Sequence, residues 1–470
     1  MKTKTKLLDH QNKAFEKLKN IKVGALFMEM GTGKTRTAIE LIKYRQNKYK
    51  NLIYFCPVSI KQTIKNEFIK HANINENDIF ILDEQKEIDK NKFVYIVGIE
   101  SISMSDRITL LMNSFISNED FVILDESHLI KSYTSLRSKR LIELCKDTKY
   151  RLIMTGTPMS QGIVDLYTQM KFLHVSILNY NSFYSFASNH LEYSEKYHGM
   201  IIRSLNVDHI TKKINPYTYQ ITKKECFDLP EKIYSNYRFN MSFEQREFYD
   251  YIKSYYLEEL ENNENIYTDK YWLFKLFGLL QQVVCGYCNF KDKKIFQTFE
   301  DKRIDILSEI IDSIQENEKI VIWHKYNNDI KNILSVVKDN YVLYNGKINK
   351  KQRDINLKQF ETDKNIKFFI GNPSIGAYGL NELKHCSYVI FYNTDFVLSK
   401  RLQCEDRNHR LGIIKNVQYI DIICNNSIDE RIHDSFIKKI DIIESFKSKL
   451  NNIKNNKQKK NTLKEFIENL

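Results

Sequence analysis

The chain carries two separate series in which short runs of β-branched and aromatic residues alternate with amphipathic stretches. The first series lies within residues 1–160 and includes ALFMEM, NLIYFCPV, KFVYIVGI, FVILDESH and YRLIMTGTP. The second begins near residue 302 and includes KIVIWHKY, NYVLYNG, KFFIGNP, YVIFYN and VQYIDIIC. Such alternation is typical of parallel strands joined by crossover helices. We therefore predict an α/β protein with two parallel-sheet lobes.

The stretch between the two series is rich in aromatic residues and has a helical pattern, as in FEQREFYDYIKSYYLEEL, with almost no strand series. We predict a first lobe over 1–165, a helical insertion and linker over 166–300, a second lobe over 301–445 and a basic tail over 446–470. The tail is rich in lysine and asparagine and has weak periodicity, so we expect a loosely held helix or disorder.

A glycine-rich segment follows the first strand and precedes a helical pattern. It reads Met30-Gly31-Thr32-Gly33-Lys34-Thr35. In such a loop the backbone amides cradle the phosphates of a nucleotide, the lysine adds a positive charge, and the Thr35 hydroxyl is a ligand for Mg²⁺. Met28 stands where the full GxxxxGK[ST] pattern has its first glycine. The segment predicts an ATP site that includes Gly31, Thr32, Gly33, Lys34 and Thr35.

The strand FVIL ends in an acidic pair, Asp125 and Glu126, followed by Ser127 and His128. Parallel sheets hold their ligands at the carboxyl edge, where this pair is expected. We assign Asp125 to Mg²⁺ and Glu126 to the orientation and deprotonation of an attacking water. Asp, Glu and Ser are also favoured where a solvated helix begins, but a phosphate loop upstream makes the catalytic interpretation the better one.

Two further segments bear on the same site. Thr155-Gly156-Thr157-Pro158 ends a strand, and we expect its hydroxyls to hydrogen-bond the acidic pair, although alone it would be an ordinary turn. In the second lobe, SKRLQCEDRNHRLG places Arg407 and Arg410 three residues apart, which favours neighbouring positions on one helix face. Such arginines can stabilise a transferring phosphoryl group, and the alternative is a salt-bridged surface helix.

Together these segments resemble the Swi/Snf-type ATPases, a branch of the superfamily-two DEAD/DEAH-box helicases, over roughly residues 7–432. Two segments that are less common among helicases in general indicate this branch. They are DLPEKIYSNYRFNMSFEQREFYDYI, and DKRIDILSEII at the entry to the second lobe. The segment containing Gly376 and Gly379 is similar to the fifth family motif, and QCEDRNHRLG to the sixth, which contains Gln403, Asp406 and His409. FCPVSIKQTIKNEF resembles a DNA-contacting motif.

The resemblance implies two RecA-like lobes, recognition of adenine by Gln11, and ATP held between the lobes, with Arg407 and Arg410 reporting their closure. It also implies translocation along double-stranded DNA, usually without strand separation. Asn372 and Pro373 occupy places where the family usually has Ser and Thr, which puts a hydroxyl contact to phosphate there in doubt.

The net charge of +13 suits a protein that lies along nucleic-acid phosphates, although an AT-rich coding sequence also raises lysine content. No apolar run reaches the roughly 20 residues that span a bilayer. The start lacks a secretion signal, so we expect a cytoplasmic protein, or a nuclear one if the source is eukaryotic. Cys285 and Cys288 form a lone CxxC pair, which favours buried thiols over a metal site.

The favoured function is a DNA-stimulated ATPase that translocates on duplex DNA, uses ATP and Mg²⁺, and relies on protein partners, its insertion or its tail for targeting. One alternative is a helicase that separates strands of DNA or RNA, because the core motifs are shared across the superfamily. Another is a non-hydrolysing DNA-binding scaffold. The presence of Lys34, Asp125, Glu126 and Arg410 argues against the scaffold.

Overall fold

A computed structural model describes residues 1–83, 87–159, 162–193, 201–262, 270–376, 380, 382–410, 412–438 and 456–470. The chain forms two compact units. Unit 1 comprises Met1–Glu192 and Ile201–Asp228, and unit 2 comprises mainly Leu229–Leu470. Each unit is built around its own sheet. The prediction of two parallel-sheet α/β lobes is therefore confirmed.

Unit 1 contains a seven-stranded parallel sheet of strand order β3-β4-β2-β5-β6-β1-β9. Its strands are β1 (Val23–Met28), β2 (Leu52–Cys56), β3 (Ile79–Leu82), β4 (Val94–Gly98), β5 (Phe121–Asp125), β6 (Tyr150–Met154) and β9 (Thr218–Ile221). A separate two-stranded sheet pairs β7 (Leu191–Tyr193) with β8 (Ile201–Ser204). Every residue of β2, β4, β5 and β6 is buried. Continuous apolar runs are expected where helices cover both faces of a parallel sheet.

Helices connect the strands of unit 1. They are α1 (Asp9–Leu18), α2 (Lys34–Tyr44), α3 (Lys61–His71), α4 (Ile99–Met104), α5 (Asp106–Phe115), α6 (Leu136–Cys145), α7 (Val164–Leu173), α8 (Val175–Leu178), α9 (Phe183–His190), α10 (Val207–Ile214) and α11 (Lys223–Cys226). The strand order places β1 and β5 on either side of β6. All three strands therefore end at the same edge of the sheet, where the phosphate loop, the acidic pair and TGTP follow them.

Unit 2 contains a six-stranded parallel sheet of order β10-β17-β16-β13-β15-β14. Its strands are β10 (Lys232–Phe239), β13 (Ile320–Trp323), β14 (Tyr341–Tyr344), β15 (Phe368–Gly371), β16 (Tyr388–Phe391) and β17 (Val417–Cys424). An antiparallel pair, β11 (Tyr287–Phe290) and β12 (Ile295–Thr298), forms a small second sheet. One core cluster includes Ile320, Ile322 and Ile390, and another includes Val321, Trp323 and Val389. Alternate residues of these strands therefore enter different cores, as expected for a sheet with both faces buried.

The helices of unit 2 are α12 (Phe243–Asn262), α13 (Lys270–Val284), α14 (Lys302–Ser313), α15 (Asp329–Val337), α16 (Lys350–Thr362), α17 (Pro373–Gly376), α18 (Leu398–Asn408), α19 (Ile428–Ile437) and α20 (Asn456–Glu468). Several of them, including α12, α13, α14 and α19, contribute apolar side chains to the first core cluster.

The segment expected to be a helical insertion, 166–300, also contributes strands to both large sheets. β9 pairs with β1 in unit 1, and β10 pairs with β17 in unit 2. The contact boundary between the units lies at Asp228, between these two strands. β9 and β10 are edge strands with many partly exposed residues, so neither has the continuous apolar run of a central strand.

The basic tail, 446–470, ends in a packed helix in the part that the structure describes. Leu463, Ile467 and Leu470 of this C-terminal segment are buried in the core cluster of unit 2. The Tyr249 hydroxyl donates a 2.9 Å hydrogen bond to the Leu470 carbonyl. The segment 456–470 is thus held by α12, where we expected a loose helix or disorder. The three apolar residues are spaced about one turn apart, so they form one apolar face that packs on the core although the segment is rich in lysine.

Among the described residues, no helix has both the length and the apolar character required to cross a membrane.

Candidate active site

The phosphate loop, Met30–Thr35, leaves β1 and enters α2 with two glycines in the left-handed region. Gly31 has a φ of 81° and Gly33 a φ of 88°. The positive φ of Gly33 favours glycine, and a Cβ there would displace the amide group of Gln11. Gly33 precedes the first residue of α2, whose N-terminal amides suit an anion. The geometry is that of a phosphate cradle.

Gln11 and His10 hold this loop from the start of α1. Gln11 Nε2 and His10 Nε2 donate hydrogen bonds of 3.0 and 2.8 Å to the same carbonyl oxygen, that of Thr32. Gln11 Oε1 accepts a 3.1 Å hydrogen bond from the Leu8 amide. Thr32 is fully buried. The structure therefore brings Gln11 to the phosphate loop, and its recognition of adenine stays a prediction.

Asp125 is the last residue of β5, and two donors fix both of its carboxylate oxygens. Oδ1 accepts a 2.9 Å hydrogen bond from the Glu126 amide, and Oδ2 accepts a 3.0 Å hydrogen bond from the Tyr54 hydroxyl. Burial and, to a smaller extent, the Glu126 carboxylate raise the pKa of Asp125 to about 6, although the Lys34 ammonium opposes the rise. Because β1 and β5 end at the same edge of the sheet, the phosphate loop and the acidic pair share one site.

Lys34 and Thr35 begin α2 at this site. Lys34 Nζ donates a 3.0 Å hydrogen bond to the Met28 carbonyl, so the ammonium lies over the loop. Thr35 and Asp125 offer a hydroxyl and a carboxylate, the hard oxygen ligands that Mg²⁺ prefers. The Tyr54 hydroxyl bonds Asp125, and the nearby Thr35 side chain lowers the pKa of that hydroxyl, so Thr35 and Asp125 lie on the same side of the site. The donors fit a magnesium ion bound with nucleotide phosphates.

Glu126 adopts an unusual backbone conformation for a residue other than glycine. Its φ is 51° and its ψ is 50°. A left-handed residue with a side chain stores strain, and such residues cluster at functional sites. Glu126 Oε2 lies 3.2 Å from His128 Nδ1. The sharp turn after β5 therefore sets the direction of the carboxylate that we assign to the attacking water.

The TGTP segment is bonded to the acidic pair, as predicted. Thr155 Oγ1 lies 3.0 Å from His128 Nδ1 and 3.5 Å from Glu126 Oε2, and it accepts a 3.1 Å hydrogen bond from the Thr157 amide. Gly156 packs against the phosphate loop, because a Cβ there would lie 3.1 Å from the Met30 amide nitrogen. The predicted contact between TGTP and the acidic pair is confirmed.

Sequence reasoning missed Gln169 of α7, which completes this network. Gln169 Oε1 accepts a 2.7 Å hydrogen bond from the Ser127 hydroxyl, and Nε2 donates a 2.8 Å hydrogen bond to the Pro158 carbonyl. Its side chain is fully buried in a helix that is mostly apolar. A buried amide is hydrogen-bonded in most proteins, so a glutamine on the apolar face of α7 was the available signal.

In unit 2 the arginine segment differs from the sequence-based expectation. Helix α18 ends at Asn408, so Arg407 lies in its last turn and Arg410 lies beyond the helix. At this end the Asn408 amide donates hydrogen bonds of 2.8 and 3.2 Å to the carbonyls of Leu383 and Cys386. Arg407 Nε donates to the Gln403 carbonyl and Arg410 Nε to the Asp406 carbonyl. The expectation of two arginines on one helix face was therefore wrong.

Helix α18 is mostly buried. Its charged sequence had also allowed an exposed helix with surface salt bridges, and the structure does not have one there. Seven of its residues are buried: Arg401, Gln403, Cys404, Glu405, Asp406, Arg407 and Asn408. Gln403 is 1% exposed, and neither atom of its amide has a hydrogen-bond partner among the described residues. His409 Nε2 donates a 2.8 Å hydrogen bond to the Pro230 carbonyl.

A buried ion-pair network that sequence reasoning missed fixes α18 to the sheet of unit 2. Arg401 forms a two-pronged pair with Asp421 of β17, and its Nε donates a 2.9 Å hydrogen bond to Glu405. The guanidinium carbon lies 3.5 Å from the centre of the Phe391 ring. Lys232 and Tyr234 of β10 donate to Glu405 at 3.0 and 2.8 Å. The network joins three elements that are distant in sequence.

The remaining sequence-based candidates have the following positions. Gly379 lies outside the described residues. Asn372 Nδ2 donates a 2.8 Å hydrogen bond to the Lys325 carbonyl, and its Oδ1 accepts one of 2.9 Å from the Ser374 amide. Cys285 and Cys288 are buried free thiols. The described residues contain no cluster of three or more His, Cys, Asp or Glu side chains that could hold a metal ion.

Two models of known protein families match this chain. Residues 11–288 match the model of the SNF2-related domain, and residues 302–412 match the helicase conserved C-terminal domain. An uncharacterized ATP-dependent helicase of Mycoplasma genitalium is 24% identical over 421 residues, which cover 87% of this chain and 39% of that protein. The transcription regulatory protein SNF2 of Saccharomyces cerevisiae is 24% identical over 464 residues, which cover 89% of this chain and 26% of that protein.

Among solved structures, the Hef helicase domain of Pyrococcus furiosus is similar in fold. The TM-score is 0.51 at 14% sequence identity, and the match covers 91% of this chain and 97% of that domain. The SNF2-related model alone matches more than half of the 470 residues. This chain therefore belongs to the SNF2-related family of helicase-like proteins.

Proposed function

We propose that this protein is an ATP-driven translocase that hydrolyses ATP with Mg²⁺ to move along double-stranded DNA. Movement of this kind would remodel protein–DNA complexes or branched DNA. One observation carries the proposal: Lys34, Asp125 and Glu126 meet at one edge of the unit 1 sheet, bonded to the TGTP segment through His128 and Thr155. A chain that only bound DNA would have no use for this arrangement.

Each residue of the site has a chemical role in the proposal. The amides of the phosphate loop and Lys34 bind the phosphates, and Thr35 and Asp125 bind the metal ion. Mg²⁺ would neutralise charge on the phosphates during transfer. Glu126 orients the attacking water and accepts its proton. Arg407 and Arg410 stabilise the charge of the transition state and make hydrolysis depend on the state of unit 2.

Duplex DNA is the proposed track for two reasons. Membership in the SNF2-related family makes translocation on a duplex the expected activity. The net charge of +13 suits contacts to phosphates, which carry no sequence information and weaken as salt rises. Single-stranded DNA and RNA are the competing ligands, and protein partners are the proposed source of targeting.

The direct experiment is the ATPase rate of the full chain with duplex DNA, single-stranded DNA and RNA of equal length, each at two salt concentrations. We expect the largest stimulation with duplex DNA and a loss of stimulation at higher salt. Displacement of a third strand from a triplex would report movement along the duplex. Equal stimulation by RNA and duplex DNA would contradict the proposed track, and a rate that no nucleic acid changes would contradict the motor.

A second candidate is a helicase that separates strands, because one curated relative carries the name ATP-dependent helicase. A forked duplex with a fluorophore and a quencher distinguishes the two. ATP-dependent strand release on the fork without triplex displacement supports strand separation, and the reverse result supports translocation on an intact duplex.

A further inference from the structure

Tyr54 is a polar side chain in the middle of the otherwise apolar strand β2. Its neighbours in the sheet are Ile96 of β4 and Ile123 of β5, and its ring meets the Phe68 ring edge-on at 5.8 Å. The side chain is fully buried. A buried phenol carries a hydroxyl that must find a partner, so an aliphatic residue would fill this core position at a lower cost.

This hydroxyl lies beside the two residues assigned to the metal ion and bonds one of them, Asp125. The hydroxyl donates a 3.0 Å hydrogen bond to Asp125 Oδ2, while the Glu126 amide occupies Oδ1. The Thr35 side chain also lies near this hydroxyl and lowers its pKa, although burial raises that pKa overall. One phenol therefore links the residue that follows the phosphate-loop lysine to the acidic residue that ends β5.

We propose that Tyr54 is a positioning residue that sets Asp125 and Thr35 for Mg²⁺-dependent nucleotide binding. The inference rests on the proposed function, because it names a residue that acts on the metal ligands of that site. A carboxylate held only by the Glu126 amide can rotate about its Cβ–Cγ bond, and the second hydrogen bond removes that freedom. Side chains that orient metal ligands typically change metal affinity by roughly 10- to 100-fold when they are replaced.

Tyr49 supplies a matched control in the same unit. Its side chain is also buried, and its hydroxyl donates a 3.3 Å hydrogen bond to the backbone carbonyl of Ile42. Removing either hydroxyl deletes one oxygen and one buried hydrogen bond. Only Tyr54 bonds a residue of the candidate site.

The test uses the full chain and a fluorescent ATP analogue. Binding is measured against Mg²⁺ concentration and again with EDTA, for the wild type, Tyr54→Phe and Tyr49→Phe. We expect Tyr54→Phe to raise the Mg²⁺ concentration for half-maximal tightening by about 10- to 100-fold. Binding in EDTA should stay within about twofold, because the phosphate loop is unchanged. Tyr49→Phe should match the wild type in both measurements.

A double-mutant cycle tests the route through Asp125. If Tyr54 acts by orienting that carboxylate, adding Y54F to D125N produces no further change in Mg²⁺ dependence. A wild-type Mg²⁺ dependence in Tyr54→Phe, an equal shift in Tyr49→Phe, or loss of folded protein in Tyr54→Phe alone would overturn the proposal. A wild type that binds the Mg²⁺ complex without hydrolysing ATP would contradict the proposed function, while this comparison would still decide the role of Tyr54.

Discussion

The backbone amide of Lys223 donates a 2.7 Å hydrogen bond to Glu29 Oε2, which ties the start of α11 to the residue just before the phosphate loop. The Lys223 side chain is buried against the same loop, since a Cβ at Gly31 would lie 3.2 Å from Lys223 Cε. The last paired residues of β1 and β9 are Met28 and Ile221, and the bond between Glu29 and Lys223 lies just beyond them. The last segment of unit 1 is thus fastened to the phosphate loop.

Glu29→Ala should weaken the attachment of α11 to β1, because it leaves the Lys223 amide without its carboxylate acceptor. We expect the free energy of unfolding of unit 1 to fall by about 1.5–3 kcal/mol, the usual range for a hydrogen bond to a charged group. Urea unfolding followed by circular dichroism measures the change. Glu29→Gln keeps an acceptor oxygen and should lose less than half as much. An unchanged stability in Glu29→Ala would show that the bond contributes little.

Replacing Lys34 and Glu126 should separate nucleotide binding from hydrolysis. Lys34→Ala removes the positive charge beside the phosphates, so both binding of ATP and its hydrolysis should be lost. Glu126→Gln keeps the shape of the side chain but cannot accept a proton, so it should bind ATP while kcat falls by roughly 10²- to 10⁴-fold. Equilibrium binding of a fluorescent analogue and phosphate release measure the two properties. Wild-type turnover in either variant would contradict the assigned roles.

The parts of the site that follow one another in the chain could be predicted from the sequence. Gly31 to Thr35 and Asp125 to Glu126 each combine a short motif with the end of a central strand, whose apolar run is easy to recognise. Parallel strands that end at one edge bring such motifs together without further information. For the same reason the contact between Thr155 and Glu126 could be predicted.

The parts that depend on distant pairing could not be predicted. Tyr54 and Gln169 bond partners 71 and 42 residues away, and a polar residue in an apolar segment does not reveal which partner it meets. β9 and β10 are edge strands, so their residues lack the apolar run that identified the central strands. Helix α18 ends where the Asn408 amide meets two carbonyls near residue 385, a tertiary contact that i, i+3 spacing does not reveal.

Arg401 and Arg410 should respond to replacement in opposite ways. Arg401→Ala leaves the buried carboxylates of Asp421 and Glu405 without their main partner, so unit 2 should lose about 3–5 kcal/mol of unfolding free energy. Arg410→Ala should change stability by no more than about 1 kcal/mol, yet lower kcat by on the order of 10³-fold if Arg410 stabilises the transition state.

Thermal unfolding and steady-state hydrolysis of the same preparations measure both effects. Arg410→Lys provides the control, because it retains the charge but lacks the planar fork of donors that arginine offers to phosphate. Full activity of Arg410→Ala would remove this residue from the catalytic set.

Asp329 should make the stability of unit 2 depend on pH. Burial raises the pKa of Asp329 to about 7, although hydrogen bonds from the Asn393 amide and the Tyr326 backbone oppose the rise. The folded protein therefore holds a proton that the unfolded chain, with a pKa of about 3.9, releases. The stabilising contribution is complete below about pH 4 and is lost as pH rises towards 7, at up to about 1.4 kcal/mol per pH unit.

Asp329→Asn mimics the protonated acid and removes this titration. The difference in unfolding free energy between the wild type and Asp329→Asn should therefore shift in favour of the variant as pH increases from 4.5 to 7.5. Urea unfolding at several pH values measures the difference. A difference that does not change with pH would mean that the carboxyl titrates alike in the folded and unfolded chains.

The basic tail has two candidate roles, packing against unit 2 and contact with DNA. Substitutions in its C-terminal segment distinguish them. Ile467 is fully buried against unit 2, so Ile467→Ala should lower the free energy of unfolding by about 2–5 kcal/mol. Lys464 pairs with Glu261 at the surface, and Lys460 donates a 2.7 Å hydrogen bond to the Glu261 carbonyl. Replacing both lysines by alanine should barely change thermal stability, because neither ammonium is buried.

DNA affinity then distinguishes the two roles of this segment. If its lysines contact DNA, the Lys460→Ala/Lys464→Ala variant should bind duplex DNA more weakly, with a salt dependence whose log–log slope is smaller by about one to two. If the segment only packs, the slope is unchanged and Ile467→Ala alone affects the protein. We expect the packing result, because Leu463, Ile467 and Leu470 face the core while the two lysines already bond Glu261. Binding titrations at three salt concentrations decide between the outcomes.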